Sequence, residues 1–216
     1  MIAQNLAQLH QEIQTYLRSS SYTLVAVSKN QPLEKIQQAY QAGHRHFGEN
    51  YVQELIQKYH QLPKDIHWHC IGALQTNKVK YIAPFIHLIH TLDRKSLCDE
   101  IQKQAKKYNR IIPCLIQVAI SPEETKVGGC QWEEFETLYE YAKAQSNIKI
   151  LGLMGMASFT QNEEIIRKEF QSLAQLYRKY PEFSILSMGM SSDYLIALQE
   201  GANMLRIGTK IFGERK

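Results

Sequence analysis

"YTLVAVSKNQPLEKIQQAYQAG", residues 22–43, holds a strand, a turn and a helix in succession. From Thr23 to Val27 the chain is apolar and largely β-branched, which suits a strand buried on both faces. The second half starts with Pro32 and stops at Gly43, the punctuation of a helix. A strand without a wet face, followed at once by a helix, is the unit of a parallel sheet. The unit then recurs. "HRHFGE" leads into "NYVQELIQKYHQL", "IHWHCIG" into "NKVKYIAPF" with its Pro84, and "IHLIHTLD" into "RKSLCDEIQKQAKKYN". "IIPCLIQVAI" leads into "QWEEFETLYEYAKAQ", "IKILGLMGM" into a helix around "EEIIRKEFQSLAQLYRKY", and "FSILSMG" into "SDYLIALQEG". "ANMLRIGTKIFG" reads as the eighth strand.

Eight such strands, the first seven each followed by a helix, predict a closed (β/α)8 TIM barrel over an open doubly wound sheet. An additional amphipathic helix is expected over 3–18, from Ile2, Leu6, Leu9, Ile13 and Leu17 at helical spacing. The chain ends three residues after Gly213. The eighth helix is therefore expected to be missing or vestigial, with the N-terminal helix covering that side or capping the barrel floor. No linker, low-complexity tract or repeat interrupts the pattern, so residues 1–216 are expected to form one domain.

The 216 residues are 44% hydrophobic, enough for one sizeable core. The net charge of +4 is dispersed; its two small clusters, "KKYNR" and "RKYP", sit at predicted helix ends, where cations complement the dipole. That excludes a nucleic-acid surface as the leading reading. Cys70, Cys98, Cys114 and Cys130 show neither CxxC nor finger spacing. The N-terminus has no signal-peptide pattern, and no apolar run reaches the ~18 residues of a membrane helix. A reducing cytoplasm is the expectation.

Barrel chemistry gathers at the C-terminal ends of strands. Thr23, Val25, Val27 and Lys29 alternate onto one face, so Lys29 either meets solvent at the end of strand 1 or rises into the barrel mouth. A desolvated lysine there forms Schiff bases readily. At the other end of the chain, "SMGMSSD" (187–193) closes strand 7 with Gly189 at a turn and Ser191 and Ser192 as candidate helix caps. "RIGT" (206–209) closes strand 8 with a glycine beside a hydroxyl. Loops after strands 7 and 8 are where barrels commonly bind phosphate. A lysine and a phosphate site on one mouth suggest pyridoxal 5'-phosphate (PLP). Arg206 shares a strand face with Met204 and Gly208, and suits the pyridine nitrogen of that cofactor. Unable to give up its proton, it leaves the ring a poorer electron sink; the alternative is an arginine paired to a strand-end carboxylate. His67 and His69, and likewise His44 and His46, align in pairs on strands, but no further ligand completes a recognisable metal motif, and no metal is expected. Glu49 and Asn50, at the end of strand 2, are either ligand contacts at the mouth or helix caps.

At these residues the sequence resembles the PLP homeostasis proteins, single-domain relatives of the alanine racemase N-terminal barrel. The matching stretches are "LVAVSK", "AGHRHFGENYVQE", "IHWHCIGALQTNK", "HTLDR", "VAISPEETKVGG", "GLMGM", "LSMGMSSD" and "LRIGTKIFG", in order from strand 1 to the C-terminus. The resemblance implies that Lys29 carries PLP as a Schiff base and that Ser187, Met190, Ser191, Gly208 and Thr209 hold the cofactor, largely at its phosphate. It implies further that Arg206 faces the pyridine nitrogen and Asn50 lines the pocket. Such proteins are cytoplasmic, often monomeric, and act on vitamin B6 balance without an established reaction. PLP-dependent apoenzymes are the implied recipients.

The competing function is a weak amino-acid racemase or another PLP-dependent enzyme. Racemisation needs acid and base groups on both faces of the bound substrate. Lys29 serves one face. The other falls, in two-domain racemases, to a tyrosine from a further β-rich domain, for which this sequence has no counterpart. A binding protein that holds PLP is therefore the expectation.

Overall fold

The computed structural model describes residues 1–17, 21–122 and 128–214. Its strands are β1 (Thr23–Val27), β2 (His46–Glu49), β3 (His67–Cys70), β4 (Leu88–Leu92), β5 (Ile112–Gln117), β6 (Ile148–Met154), β7 (Ile185–Ser187) and β8 (Met204–Ile207). All pair in parallel in chain order, and β1 closes on β8 with Val25 opposite Arg206. The fold is a closed (β/α)8 barrel, as the strand–helix alternation predicts. The segment "VAISPEETKVGG" from the sequence match lies partly outside the described residues.

The helices are α1 (Ile2–Tyr16), α2 (Leu33–Gln41), α3 (Val52–Gln61), α4 (Val79–Ile82), α5 (Lys95–Lys107), α6 (Trp132–Lys143), α7 (Glu163–Arg178), α8 (Tyr194–Gln199) and α9 (Thr209–Phe212). α4 ends at Ile82, and Ala83 keeps helical φ −51° and ψ −34° before Pro84. The main core lies between barrel and helices, with Phe47, Trp68, Leu97 and Phe170 almost fully buried. A smaller group, Val25, Leu88, Leu115, Met154 and Met204, forms a second cluster on the opposite strand faces, inside the barrel.

Two expectations are corrected. The eighth strand stops at Ile207, and "TKIF" forms a single helical turn, α9, rather than extending the strand. α8 has Asp193 as its N-cap position, and neither Ser191 nor Ser192 caps it. Asp193 Oδ1 instead accepts the Met190 N–H at 2.5 Å, so the carboxylate braces the turn ahead of the helix. Of the two places open to the N-terminal helix, the structure selects the side. α1 buries Ile2, Leu6, Leu9 and Ile13, packs against α2, α8 and α9, and donates Asn5 Nδ2 to the Ile211 carbonyl at 2.9 Å. A one-turn α9 leaves the β8–β1 flank uncovered, and α1 supplies the missing apolar stripe.

Candidate functional site

Arg206, in β8, is 4% exposed. Its Nη1 donates to Ser187 Oγ at 2.7 Å, and its Nη2 donates to the Gly155 carbonyl at 3.0 Å. These two acceptors are neutral, a hydroxyl and a backbone carbonyl, and the charge of Arg206 is also felt at the Asp193 carboxyl. Ser187 is the last residue of β7 and fully buried. Its Oγ also lies 3.2 Å from His90 Nδ1. His90 was not singled out from the sequence; the available signal was its alternation with Leu88 on β4, which places both inside the barrel.

From His90 a file of imidazoles runs toward the N-terminal ends of the strands. His90 Nε2 is 2.9 Å from His69 Nδ1, His69 Nε2 is 3.0 Å from His46 Nδ1, and His46 Nε2 is 3.3 Å from His67 Nδ1. Burial pushes the pKa of His46 down to about 4 and that of His69 and His90 well below the usual imidazole value. The guanidinium of Arg206 adds to the effect at His90. These rings are neutral at pH 7.

Lys29 lies beyond the end of β1, in the turn Ser28–Asn30, and is half-buried. Both residues that flank it are held. Lys58 Nζ, on α3, donates to the Ser28 carbonyl at 2.6 Å, to Glu49 Oε1 at 2.8 Å and to Glu54 Oε1 at 2.6 Å. Ser28 Oγ donates to Glu49 Oε1 at 2.5 Å, and the Asn30 N–H donates to Glu54 Oε1 at 2.7 Å. Asn30 adopts φ +57°, a left-handed conformation that asparagine tolerates better than most residues. Glu49 is thus neither a mouth ligand nor a helix cap. It is 1% exposed and locks β1, β2 and α3 together. Burial raises its pKa to about 7 against the opposing pull of Lys58 and Ser28.

The loops after β7 and β8 turn as expected. Gly189 has φ +98°, and a Cβ there would sit 2.7 Å from Ala197 Cβ, so only glycine fits. Met190 and Ser191 follow it, half-buried, and Gly208 and the exposed Thr209 open α9. Asn50, just past β2, is half-buried and crowded by Gly72, where a Cβ would meet the Asn50 carbonyl at 2.4 Å. Lys29, Asn50, Ser187, Met190, Ser191, Arg206, Gly208 and Thr209 therefore come from the C-terminal ends of β7, β8, β1 and β2, four consecutive staves of the ring. A lysine, a buried arginine and two glycine turns on one arc can hold an anionic, aldehyde-bearing planar ligand.

The family model described as alanine racemase, N-terminal domain, matches residues 2–216. The PLP homeostasis protein of Aquifex aeolicus (strain VF5) is 46% identical over 199 residues, covering 89% of this chain and 87% of the relative. That of Pasteurella multocida (strain Pm70) is 40% identical over 228 residues, covering 99% of this chain and 97% of the relative. The structure of PipY from Synechococcus elongatus PCC7942 with PLP bound superposes with a TM-score of 0.87 at 34% identity, covering 99% of this chain and all of that one. Alanine racemase from Clostridium difficile 630 shares the fold at 13% identity and TM-score 0.76, with 57% of its own length covered. The chain belongs to the alanine racemase N-terminal domain family and, within it, to the PLP homeostasis proteins.

Proposed function

We propose that this protein binds PLP at the C-terminal mouth of the barrel and serves PLP homeostasis, holding the cofactor rather than turning over a substrate with it. The observation that carries the reading is Arg206. A guanidinium buried inside the barrel, on the strand paired with the one that leads to Lys29 and held by Ser187 Oγ and the Gly155 carbonyl, sets a planar cationic donor beneath the mouth. The donor set fits. Lys29 Nζ would hold the aldehyde carbon covalently, Arg206 would face the pyridine nitrogen, and Asn50 would line the pocket. Met190, Ser191, Gly208 and Thr209 would surround the phosphate. Ser187 belongs to the same site one layer down, because its hydroxyl is taken up by Arg206 and His90. When bound, PLP supplies an aldehyde for reversible attachment and a ring that withdraws electrons from the attached amine.

The chain's own residues favour holding over catalysis. Arg206 donates and never accepts, so it leaves the ring nitrogen unprotonated and weakens electron withdrawal. The clamp on Ser28 and Asn30 fixes the backbone on both sides of Lys29, which suits reversible capture. We place the protein in the cytoplasm, where its four buried cysteine thiols would stay reduced; no helix among the described residues is long and apolar enough to cross a membrane. We take the whole chain as one binding unit that acts as a monomer and delivers PLP to PLP-dependent apoenzymes.

The visible absorption spectrum of the purified protein tests this reading, before and after borohydride, beside Lys29→Ala. A yellow protein whose label is fixed on Lys29 by reduction is expected. A parent protein that stays colourless with added PLP, or a Lys29→Ala protein that is labelled equally, overturns it. Exchange of the α-proton of amino acids in deuterium oxide, at a rate scaling with protein, would instead establish the racemase-like alternative.

A further inference from the structure

The opposite end of the barrel carries a second cluster, independent of the PLP reading. We propose that His46, His69 and His87 bind one borderline divalent transition-metal ion, of the zinc class, at the N-terminal floor of the barrel. His46 opens β2, His87 immediately precedes β4, and His69 lies within β3 between them. One ring nitrogen from each lies within 4.8 Å of the others. His46 Nδ1 and His69 Nε2 are already 3.0 Å apart. Tetrahedral zinc, with bonds of about 2.0–2.1 Å, holds two nitrogens about 3.3 Å apart, so this pair needs a shift of only a few tenths of an ångström, and the His87 ring closes on it from within 4.8 Å.

The donor set names the metal class. Three imidazoles, with no carboxylate in the cluster, suit zinc, cobalt, nickel or copper and not magnesium or calcium. Metal-binding histidines ordinarily use their second nitrogen on an outer partner that fixes the ring. Here that shell is in place. His69 Nδ1 faces His90 Nε2 at 2.9 Å, and His46 Nε2 faces His67 Nδ1 at 3.3 Å. The His67 ring stacks on that of His87, with centroids 4.3 Å apart and planes 13° apart, and so orients the third ligand. Burial runs from His69, fully buried, through His46 to the exposed His87. An ion can therefore enter from solvent, and an outward coordination position remains for water. Arg110, whose charge is felt at His87, is tied to the Ala83 and Ile86 carbonyls at 2.5 and 2.7 Å.

Titration of tag-free, metal-free full-length protein with zinc chloride, followed by calorimetry, tests the site, with cobalt(II) as the spectroscopic probe. One ion per chain, bound in the micromolar range or tighter, is expected, with visible cobalt bands of low coordination number. His87→Ala and His46→Gln should each weaken zinc at least tenfold, and His60→Ala, an exposed histidine on α3, should not. Weaker binding, or affinity unchanged in both cluster variants, overturns the proposal and leaves the histidines as a hydrogen-bonded file only. Should His46→Gln fail to fold by circular dichroism, the exposed His87→Ala decides alone. Lys29→Ala is expected to bind zinc like the parent, so loss of the PLP site and loss of the metal site are read separately.

Discussion

Lys58→Met tests the clamp beneath Lys29. The substitution preserves the stem of the side chain and removes an ammonium that serves Glu49, Glu54 and the Ser28 carbonyl. What it leaves depends on pH. The carboxyl of Glu49 ordinarily titrates near 4.5 and in the folded protein near 7. The folded state therefore binds more protons than the unfolded chain between those values, and stability falls as pH rises through that window. A rise from 4.5 to about 7 corresponds to about 3 kcal/mol at 1.36 kcal/mol per unit, already incurred by the parent above neutrality. Without Lys58 the pKa climbs further, and at about pH 8 the carboxylate is buried with no cation. Breaking one side of a buried pair costs roughly 3–5 kcal/mol, and because Glu49 can escape by protonation we expect about 3 kcal/mol. At about pH 5.5 Glu49 is neutral in both proteins, and the loss shrinks to about 1 kcal/mol for the hydrogen bond to Ser28. Urea denaturation of parent and variant at each pH measures the difference, and other titrations cancel in the comparison. Glu49→Gln added to Lys58→Met should recover much of the loss at the higher pH. An equal loss at the two pH values, or under 1 kcal/mol at pH 8, would refute the reasoning.

Arg206→Gln should lower PLP affinity at least tenfold by equilibrium absorbance and cost about 1–3 kcal/mol in denaturant, because Ser187 Oγ and the Gly155 carbonyl lose a charged donor. Gly72→Ala would press a Cβ to 2.4 Å from the Asn50 carbonyl, so a stability loss of about 1–3 kcal/mol is expected together with weaker PLP binding, read from the same two assays. Acid should weaken the fold through the histidine file. The folded-state pKa of His46, His69 and His90 lies below the usual 6.5, so stability is lost as pH falls from about 6.5 toward 4, and urea midpoints measured for His90→Asn should fall less steeply over that range.

The fold was legible because most strands are continuously apolar and alternate with helices that carry start and stop signals, as with Thr23–Val27, Pro32 and Gly43. Period-two alternation also carried Arg206 correctly to the barrel interior beside Met204. Glu49, read from its strand-end position as a mouth contact or a helix cap, instead lies on the outward face of β2 that meets α3, and its partner Lys58 is chosen by helix packing that no local pattern encodes. Ser191 and Ser192 have cap chemistry, yet Asp193 holds the N-cap position and its carboxylate accepts the Met190 N–H. The floor histidines were hidden for a topological reason. His46, His69 and His87 are separated by intervening helices, so their convergence is a property of ring closure, and sequence spacing gave no motif.

The mouth and the floor are joined by the donor count of one side chain. Arg206 donates and cannot accept, so Ser187 Oγ receives from Nη1 at 2.7 Å and keeps its own proton to give, with His90 Nδ1 at 3.2 Å as the acceptor we expect in the metal-free protein. A neutral imidazole that accepts on one nitrogen donates from the other. In that arrangement His90 is expected to carry its proton on Nε2 and donate to His69 Nδ1 across 2.9 Å, and His69 to donate from Nε2 to His46 Nδ1 across 3.0 Å. Zinc on the floor requires the lone pair of His69 Nε2. The His69 proton must then sit on Nδ1, facing His90, and the His90 proton on Nδ1, facing Ser187. No proton is gained or lost, but the hydroxyl beneath Arg206 turns from donor to double acceptor. Nitrogen NMR of the ring resonances reads this directly. The metal-free protein should show His69 and His90 protonated on Nε2, and the zinc-loaded protein should show both on Nδ1. In Arg206→Gln the metal-free pattern should become mixed, because an amide both donates and accepts. A metal-free parent with His90 protonated on Nδ1 would break the chain of reasoning at its first link, since the arginine would then not set the direction of the file.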